Sequence, residues 1–310
     1  MILPRPLRGI ITPMATPLAS PDTLDRPAVE RLLERLIAGG VNGVFILGTT
    51  GEAPGLSYRL RSEFVDQVCS VVAGRVPVLV SITDTSMVET LSFAGHACKA
   101  GASGLVLAPP YYFELSQPEI LRYLKRLTPQ LPLPVYLYNI PSLTKTPFAP
   151  DTVRAAADFT NVYGIKDSSG DMTYFAELIR KLADRPDFAI LCGPEELLAQ
   201  AMAMGAHGGI SGGSNLWPEL FVALYRAASN HDTERVGRLQ TMVVEIGSHV
   251  YNLTPEGSSY LRGMKCALSV LGYFRNVMAE PYEPYGPDET EKIRATFSKL
   301  GLLDGKTRVV

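Results

Sequence analysis

Apolar residues recur in this chain in two alternating rhythms, short runs that are apolar on successive positions and longer stretches with helical spacing. The short runs predict strands at residues 9–12, 43–47, 78–82, 104–107, 135–138, 162–166, 189–192 and 208–211. Their starts are separated by about 20 to 35 residues, the length of one strand-helix unit. Strands apolar on consecutive positions belong to sheets covered on both faces. Eight such units in succession predict an α/β protein built as a closed parallel (β/α)8 TIM barrel.

The segment 27–38 shows the logic of the spacers. Asp25 or Arg26 lies at the cap, Pro27 suits a first turn and Gly39 suits an exit. Val29, Leu32, Leu33, Leu36 and Ile37 follow the i, i+3, i+4, i+7, i+8 spacing of one apolar stripe. A similar pattern recurs at 195–204. After about Asn215 only helical patterns remain, at 218–228, 233–251, 257–271 and 287–300. The expected organisation is therefore a barrel over 1–215 and a C-terminal helical extension over 216–310, packed on it. The Pro-rich stretch 280–287 reads as a connection, since too little chain follows it to make a core.

With 310 residues, 46% of them hydrophobic, the chain has enough material for one large core. A net charge of −2, without any Lys/Arg-rich run, argues against nucleic acid and anionic membranes as partners. Cys69, Cys98, Cys192 and Cys266 are scattered and suggest reduced thiols, neither a zinc site nor a disulfide framework. Pro13 and Pro17 interrupt the apolar N-terminus, and no segment reaches the roughly 18 uninterrupted apolar residues of a membrane helix. A cytoplasmic location is expected. His96, His207, His231 and His249 stand apart, so no converging metal-ligand set is visible.

In such a barrel, reactive side chains stand at the C-terminal ends of strands. Lys166 ends the sixth predicted strand. Burial disfavours the ammonium form of an amine, and a neutral amine attacks a ketone to give an imine that acidifies the adjacent carbon. A structural ion pair of Lys166 with Asp167 or with a helix C-terminus is the alternative. Tyr138 ends the fifth strand, either as a proton relay or as a barrel-rim aromatic. Gly48-Thr49-Thr50-Gly51-Glu52 follows the second strand. It reads as a carboxylate cradle of hydroxyls and free N–H groups, or as a turn into a helix with Thr as cap and Glu in the first turn. The glycine-rich run 208–214 is a further candidate, for phosphate.

Taken with Pro110-Tyr111-Tyr112, Tyr138-Asn139-Ile140-Pro141 and Gly164-Ile165-Lys166-Asp167, these motifs resemble the dihydrodipicolinate synthase / N-acetylneuraminate lyase family in order and approximate spacing over nearly the whole chain. The resemblance implies a homotetrameric barrel enzyme in which Lys166 forms a Schiff base with pyruvate. Tyr138 and Thr49 would relay protons, and Tyr112 would complete the relay in a neighbouring subunit's site. Gly48, Thr49 and Thr50 would hold the carboxylate, and Gly193 and Ile210 would line the pocket. No cofactor is expected beyond the covalent imine.

Two positions depart from the synthase branch or bear on substrate choice. Leu143 stands where that branch carries an arginine for the aldehyde's carboxylate, and leucine offers no fork. Glu196, in Gly193-Pro194-Glu195-Glu196, matches acidic residues that accept hydrogen bonds from substrate hydroxyls in the lyase branch, although Pro-Glu-Glu also makes a good helix N-terminus. The leading expectation is a Schiff-base aldolase, lyase or dehydratase acting on a hydroxylated 2-oxo acid. Dihydrodipicolinate synthase itself and a non-catalytic keto-acid-binding paralogue are the alternatives.

Overall fold

The computed structural model describes residues 3–303. Eight parallel strands close into a barrel: β1 (Gly9–Pro13), β2 (Gly43–Ile46), β3 (Val78–Ser81), β4 (Gly104–Leu107), β5 (Val135–Asn139), β6 (Val162–Asp167), β7 (Ala189–Cys192) and β8 (Gly208–Gly209). Each strand pairs with its sequence neighbours, and β8 returns to β1 through Gly9↔Gly208 and Ile10↔Gly209. This is the expected (β/α)8 barrel with C-terminal helices. A small antiparallel pair, Leu18–Ser20 with Thr23–Leu24, was not foreseen.

The helices following the strands are α1 (Arg26–Ala38), α2 (Tyr58–Val72), α3 (Met87–Ala100), α4 (Gln117–Leu127), α5 (Pro141–Thr144), α6 (Pro150–Ala156), α7 (Met172–Lys181), α8 (Leu198–Met204) and α9 (Pro218–Ser229). In α1 the Asp25 carboxylate accepts the Ala28 N–H at 3.1 Å, and Val29, Leu32, Leu33 and Leu36 are buried, as the stripe predicts. The segment 195–204 begins as a single 3-10 turn, Glu195–Leu197, before continuing as α8. Helix α9 packs against β1 and α8, and α10 (Thr233–Val250), α11 (Ser259–Val270) and α12 (Pro287–Lys299) follow it.

Two apolar layers result. One lies between strands and helices. The other fills the barrel itself, with Ile11, Phe45, Leu79, Val106, Tyr136 and Leu191 pointing inward and Leu3 and Leu7 packed among them. Because side chains alternate across a strand, inward-facing Tyr136 puts Tyr138 on the same face, and the pairing Tyr138↔Lys166 puts Lys166 beside it. Asn139 and Asp167, one residue further, face outward. There the Asn139 amide donates to Asp167 Oδ1 at 2.7 Å, and Ser169 donates to the same carboxylate through both its N–H and its hydroxyl. The structural alternative for Lys166, an ion pair with Asp167, is thereby overturned: the pleat sends the two side chains to opposite faces.

No helix among the described residues is long and apolar enough to cross a membrane, and they hold no group of three potential metal ligands.

Candidate active site

The inward-facing ends of β5 and β6 open into a cavity of about 480 Å3 at the barrel mouth. Lys166 is 5% exposed and its Nζ lies 4.2 Å from the centroid of the Tyr138 ring and 5.4 Å from that of Phe45. Phe45 in turn meets Tyr138 edge-on, which fixes the phenol against the barrel wall. Among the described residues no carboxylate pairs with Lys166. The amine thus sits buried against aromatic faces and open to the cavity.

The loop after β2 brings the hydroxyls. Thr49 Oγ1 lies 3.3 Å from the Tyr138 hydroxyl, and Thr50 Oγ1 lies 2.9 Å from the hydroxyl of Tyr260. Gly48 begins this turn behind Thr49. Its last residue, Glu52, is neither solvent-exposed nor in the first turn of α2: it points inward to a buried ion pair with Lys265. The alternative reading of this loop, an ordinary turn with a helix-start glutamate, is overturned by that pairing. Leu47 and Glu52, at φ +60° and +56°, bracket the loop in the left-handed region, which costs non-glycine residues about 1 to 3 kcal/mol each.

On the opposite side of the cavity, Gly193 and Ile210 form part of the wall. A Cβ at Gly193 would lie 1.9 Å from Ser168 Oγ, so only glycine lets the β7 loop pass that close to β6. Glu196 is exposed and borders the cavity, whereas Glu195 is buried behind it. The Glu195 carboxylate accepts the Gly213 N–H at 2.6 Å and the Tyr251 hydroxyl at 3.0 Å. Burial and the neighbouring Glu196 push this acid up to about 7, against the opposing pull of its two hydrogen bonds. The 208–214 segment, a candidate for phosphate, thus has its Gly213 donor occupied by the chain's own carboxylate. Burial likewise pushes the nearby Cys192 thiol up to about 12, which leaves it a weak nucleophile.

A second cavity, of about 610 Å3, adjoins the first across Thr49, Tyr138, Ile140 and Tyr260. Leu143, on α5, borders it and is 57% exposed. Lys145, the nearest basic residue in sequence, lies exposed just past α5 and lines neither cavity. Arg61 does border the second cavity, but it is engaged with the Leu56 carbonyl and with Asp84. Tyr112 joins neither cavity. It is 77% exposed, at φ +92°, and packs edge-on against Phe113 in a surface groove.

Apart from Tyr112, the residues singled out from the sequence therefore fall at two adjoining cavities, Lys166, Tyr138, Thr49, Thr50, Gly193, Ile210 and Glu196 at the first and Gly48 and Leu143 at its neighbour. Sequence reading missed Tyr251, Tyr260 and the inward turn of Glu195. Both tyrosines follow the last strand, and nothing in helical periodicity says that they reach back over the barrel mouth.

Comparison with known proteins places these features in a family. The family model described as "Dihydrodipicolinate synthetase family" matches residues 6–300. A probable 2-dehydro-3-deoxy-D-pentonate aldolase of Escherichia coli is 33% identical over 95% of this chain and 98% of its own. A 4-hydroxy-tetrahydrodipicolinate synthase of Thermus thermophilus is 33% identical over 96% and 97%. Among solved structures, a dihydrodipicolinate synthase from Bacteroides thetaiotaomicron is 48% identical, covers 96% of this chain and 100% of its own, and superposes with a TM-score of 0.94. A prophage protein of the dihydrodipicolinic acid synthase family from Escherichia coli, in complex with pyruvate, is 30% identical over 95% and 99% with a TM-score of 0.88.

Proposed function

This chain belongs to the dihydrodipicolinate synthetase family of lyases and aldolases, and on that premise we propose that it carries pyruvate as an imine on Lys166 and makes or breaks a bond at the adjacent carbon. One observation carries the reading, a contrast between two buried lysines. Lys265 is neutralised by Glu52 at 2.7 Å, whereas Lys166 has no carboxylate partner among the described residues and faces a cavity beside the Tyr138 and Thr49 hydroxyls. A buried amine left unpaired is costly unless function uses it.

In this mechanism Thr49 and Thr50, on the Gly48 turn, donate hydrogen bonds to the pyruvate carboxylate. Lys166 Nζ attacks the keto carbon, and a proton passes from the nitrogen to the carbonyl oxygen, which becomes the carbinolamine hydroxyl. The Tyr138 hydroxyl gives the proton with which that oxygen leaves as water, and an iminium remains. The Tyr138 phenolate left by that step takes a proton from the methyl carbon to give an enamine, which attacks an aldehyde in the condensing direction as the same phenol returns the proton to the new alkoxide; cleavage runs the same bonds backward. Gly193 and Ile210 bound the space for the imine. No metal or cofactor takes part, so chelation leaves the rate unchanged.

The second substrate is a hydroxylated 2-oxo acid or the aldehyde derived from it. Glu196, Ser168, Ser248 and Asn252 border the cavity and suit hydroxyl groups, and Leu143 offers nothing to a second carboxylate. The reading is further supported by the 33% identical pentonate aldolase. Condensation of pyruvate with aspartate semialdehyde is the second reading, favoured by the 48% identity to the Bacteroides synthase. A homo-oligomer completes the picture: Tyr112, exposed on its own chain, serves the site of a second copy, so specific activity falls on dilution.

Borohydride trapping with pyruvate, read by mass spectrometry, tests the mechanism. The expected adduct lies on Lys166 and is absent in Lys166→Ala. Trapping elsewhere, or full turnover in Lys166→Ala, overturns it. A panel of 2-oxo sugar acids against aspartate semialdehyde then separates the two substrates.

A further inference from the structure

Tyr260 stands in the first turn of α11, in the helical extension, yet its hydroxyl is 2.9 Å from Thr50 Oγ1 on the loop after β2. At the barrel's eighth corner, a Cβ built on Gly212 would fall 2.0 Å from that same hydroxyl. Glycine at 212 therefore leaves open the space the phenol oxygen fills. The ring is held from the other side by Tyr251, edge-on at 4.9 Å, and Tyr251 is itself anchored on Glu195.

Either hydroxyl can donate in this pair, and with Tyr260 donating to Thr50 Oγ1 the Thr50 O–H is left to donate into the cavity. A hydroxyl that already accepts a hydrogen bond is also a stronger donor. Burial, with Glu195 close by, pushes the phenol upward, so it keeps its proton at neutral pH.

We propose that Tyr260 is a positioning residue for the 2-oxo acid's carboxylate: through its hydrogen bond it fixes the orientation of the Thr50 hydroxyl. The extension then sets affinity for the first substrate, while the barrel supplies the reacting amine. The inference rests on the imine mechanism above, with Thr50 at the carboxylate.

The test is the pyruvate dependence of borohydride trapping and of turnover in Tyr260→Phe. Losing one hydrogen bond that orients a donor to a charged group raises the half-saturating pyruvate concentration about tenfold, with kcat falling less than threefold. Trapping with a neutral methyl ketone, which has no carboxylate, keeps its concentration dependence. Gly212→Ala, which displaces the hydroxyl, raises half-saturation in the same way, but adds nothing in the Tyr260→Phe background, because the methyl group then fills vacated space. A Tyr260→Phe half-saturation within twofold of the unmodified chain overturns the proposal, and so does an equal loss with the neutral ketone or additivity with Gly212→Ala. Absence of any pyruvate adduct in the unmodified chain removes the imine mechanism and this inference together; a normal adduct there with an unshifted Tyr260→Phe removes this inference alone.

Discussion

Glu52 and Lys265 form an ion pair 2.7 Å apart in which each side chain is 1% exposed. The pair joins the loop after β2 to α11, elements far apart in the sequence. Both partners are further satisfied: Lys265 Nζ donates to the Thr16 carbonyl at 2.6 Å, and Glu52 Oε2 accepts the Ala279 N–H at 2.9 Å. Burial pulls the Lys265 ammonium downward, and Glu52 opposes that shift. The pair also secures Glu52 in its left-handed conformation, and with it the turn that presents Thr49 and Thr50.

Removing one partner leaves a buried charge alone. Lys265→Met therefore costs about 3 to 5 kcal/mol of stability, and the double change with Glu52→Gln recovers most of it. Urea unfolding of the three variants checks this. Equal losses in the single and double variants would refute the pair as a coupled unit.

Glu195 should make stability pH-dependent near neutrality. Its folded value is about 7, above the ordinary carboxyl value of 4.5, so its stabilising contribution is full in acid and is lost as pH rises toward and through 7. The loss approaches about 3 kcal/mol, by 1.36 kcal/mol per unit. Denaturant unfolding of the unmodified chain and Glu195→Gln between pH 4.5 and 8 is the measurement. The variant gains relative stability with rising pH, and a constant difference across that range contradicts the assignment.

Tyr138→Phe keeps the ring against Phe45 and Lys166 and deletes only the relay hydroxyl. A fall in kcat of about 10²- to 10⁴-fold is expected, the usual range for a positioned proton donor, with pyruvate half-saturation little changed. Steady-state kinetics decide, and a variant within threefold of the unmodified kcat argues that protons travel elsewhere.

Leu143→Arg introduces at the second cavity the guanidinium that a carboxylate-bearing aldehyde needs. The ratio of kcat/KM for aspartate semialdehyde over a hydroxylated aldehyde should rise about tenfold or more, equivalent to about 1.4 kcal/mol. An unchanged ratio means that Leu143 does not set the choice.

The barrel was legible because its strands are buried on both faces, so their apolar runs stand out: seven of the eight predicted strands end within one residue of the observed ones, and two of those match without any difference. The eighth was cut to Gly208–Gly209 because Gly212 begins a 3-10 turn. The hairpin at 18–24 escaped notice since its strands are two and three residues long. Lys166, Tyr138, Thr49 and Thr50 could be singled out because each follows an apolar run at its C-terminal end, where parallel barrels concentrate chemistry.

By itself the sequence determined the alternation of strand and helix, and with it the barrel and the ring of loop residues at its mouth; these depend on local patterning alone. Tertiary structure decided which side chains meet. Whether Lys166 pairs with Asp167 hung on the pleat, which turns neighbouring residues to opposite faces. Partners for Glu52, Glu195 and Thr50 came from Lys265, Tyr251 and Tyr260, brought over the mouth by helices packed in three dimensions, and such long-range contacts leave no periodic trace in the chain.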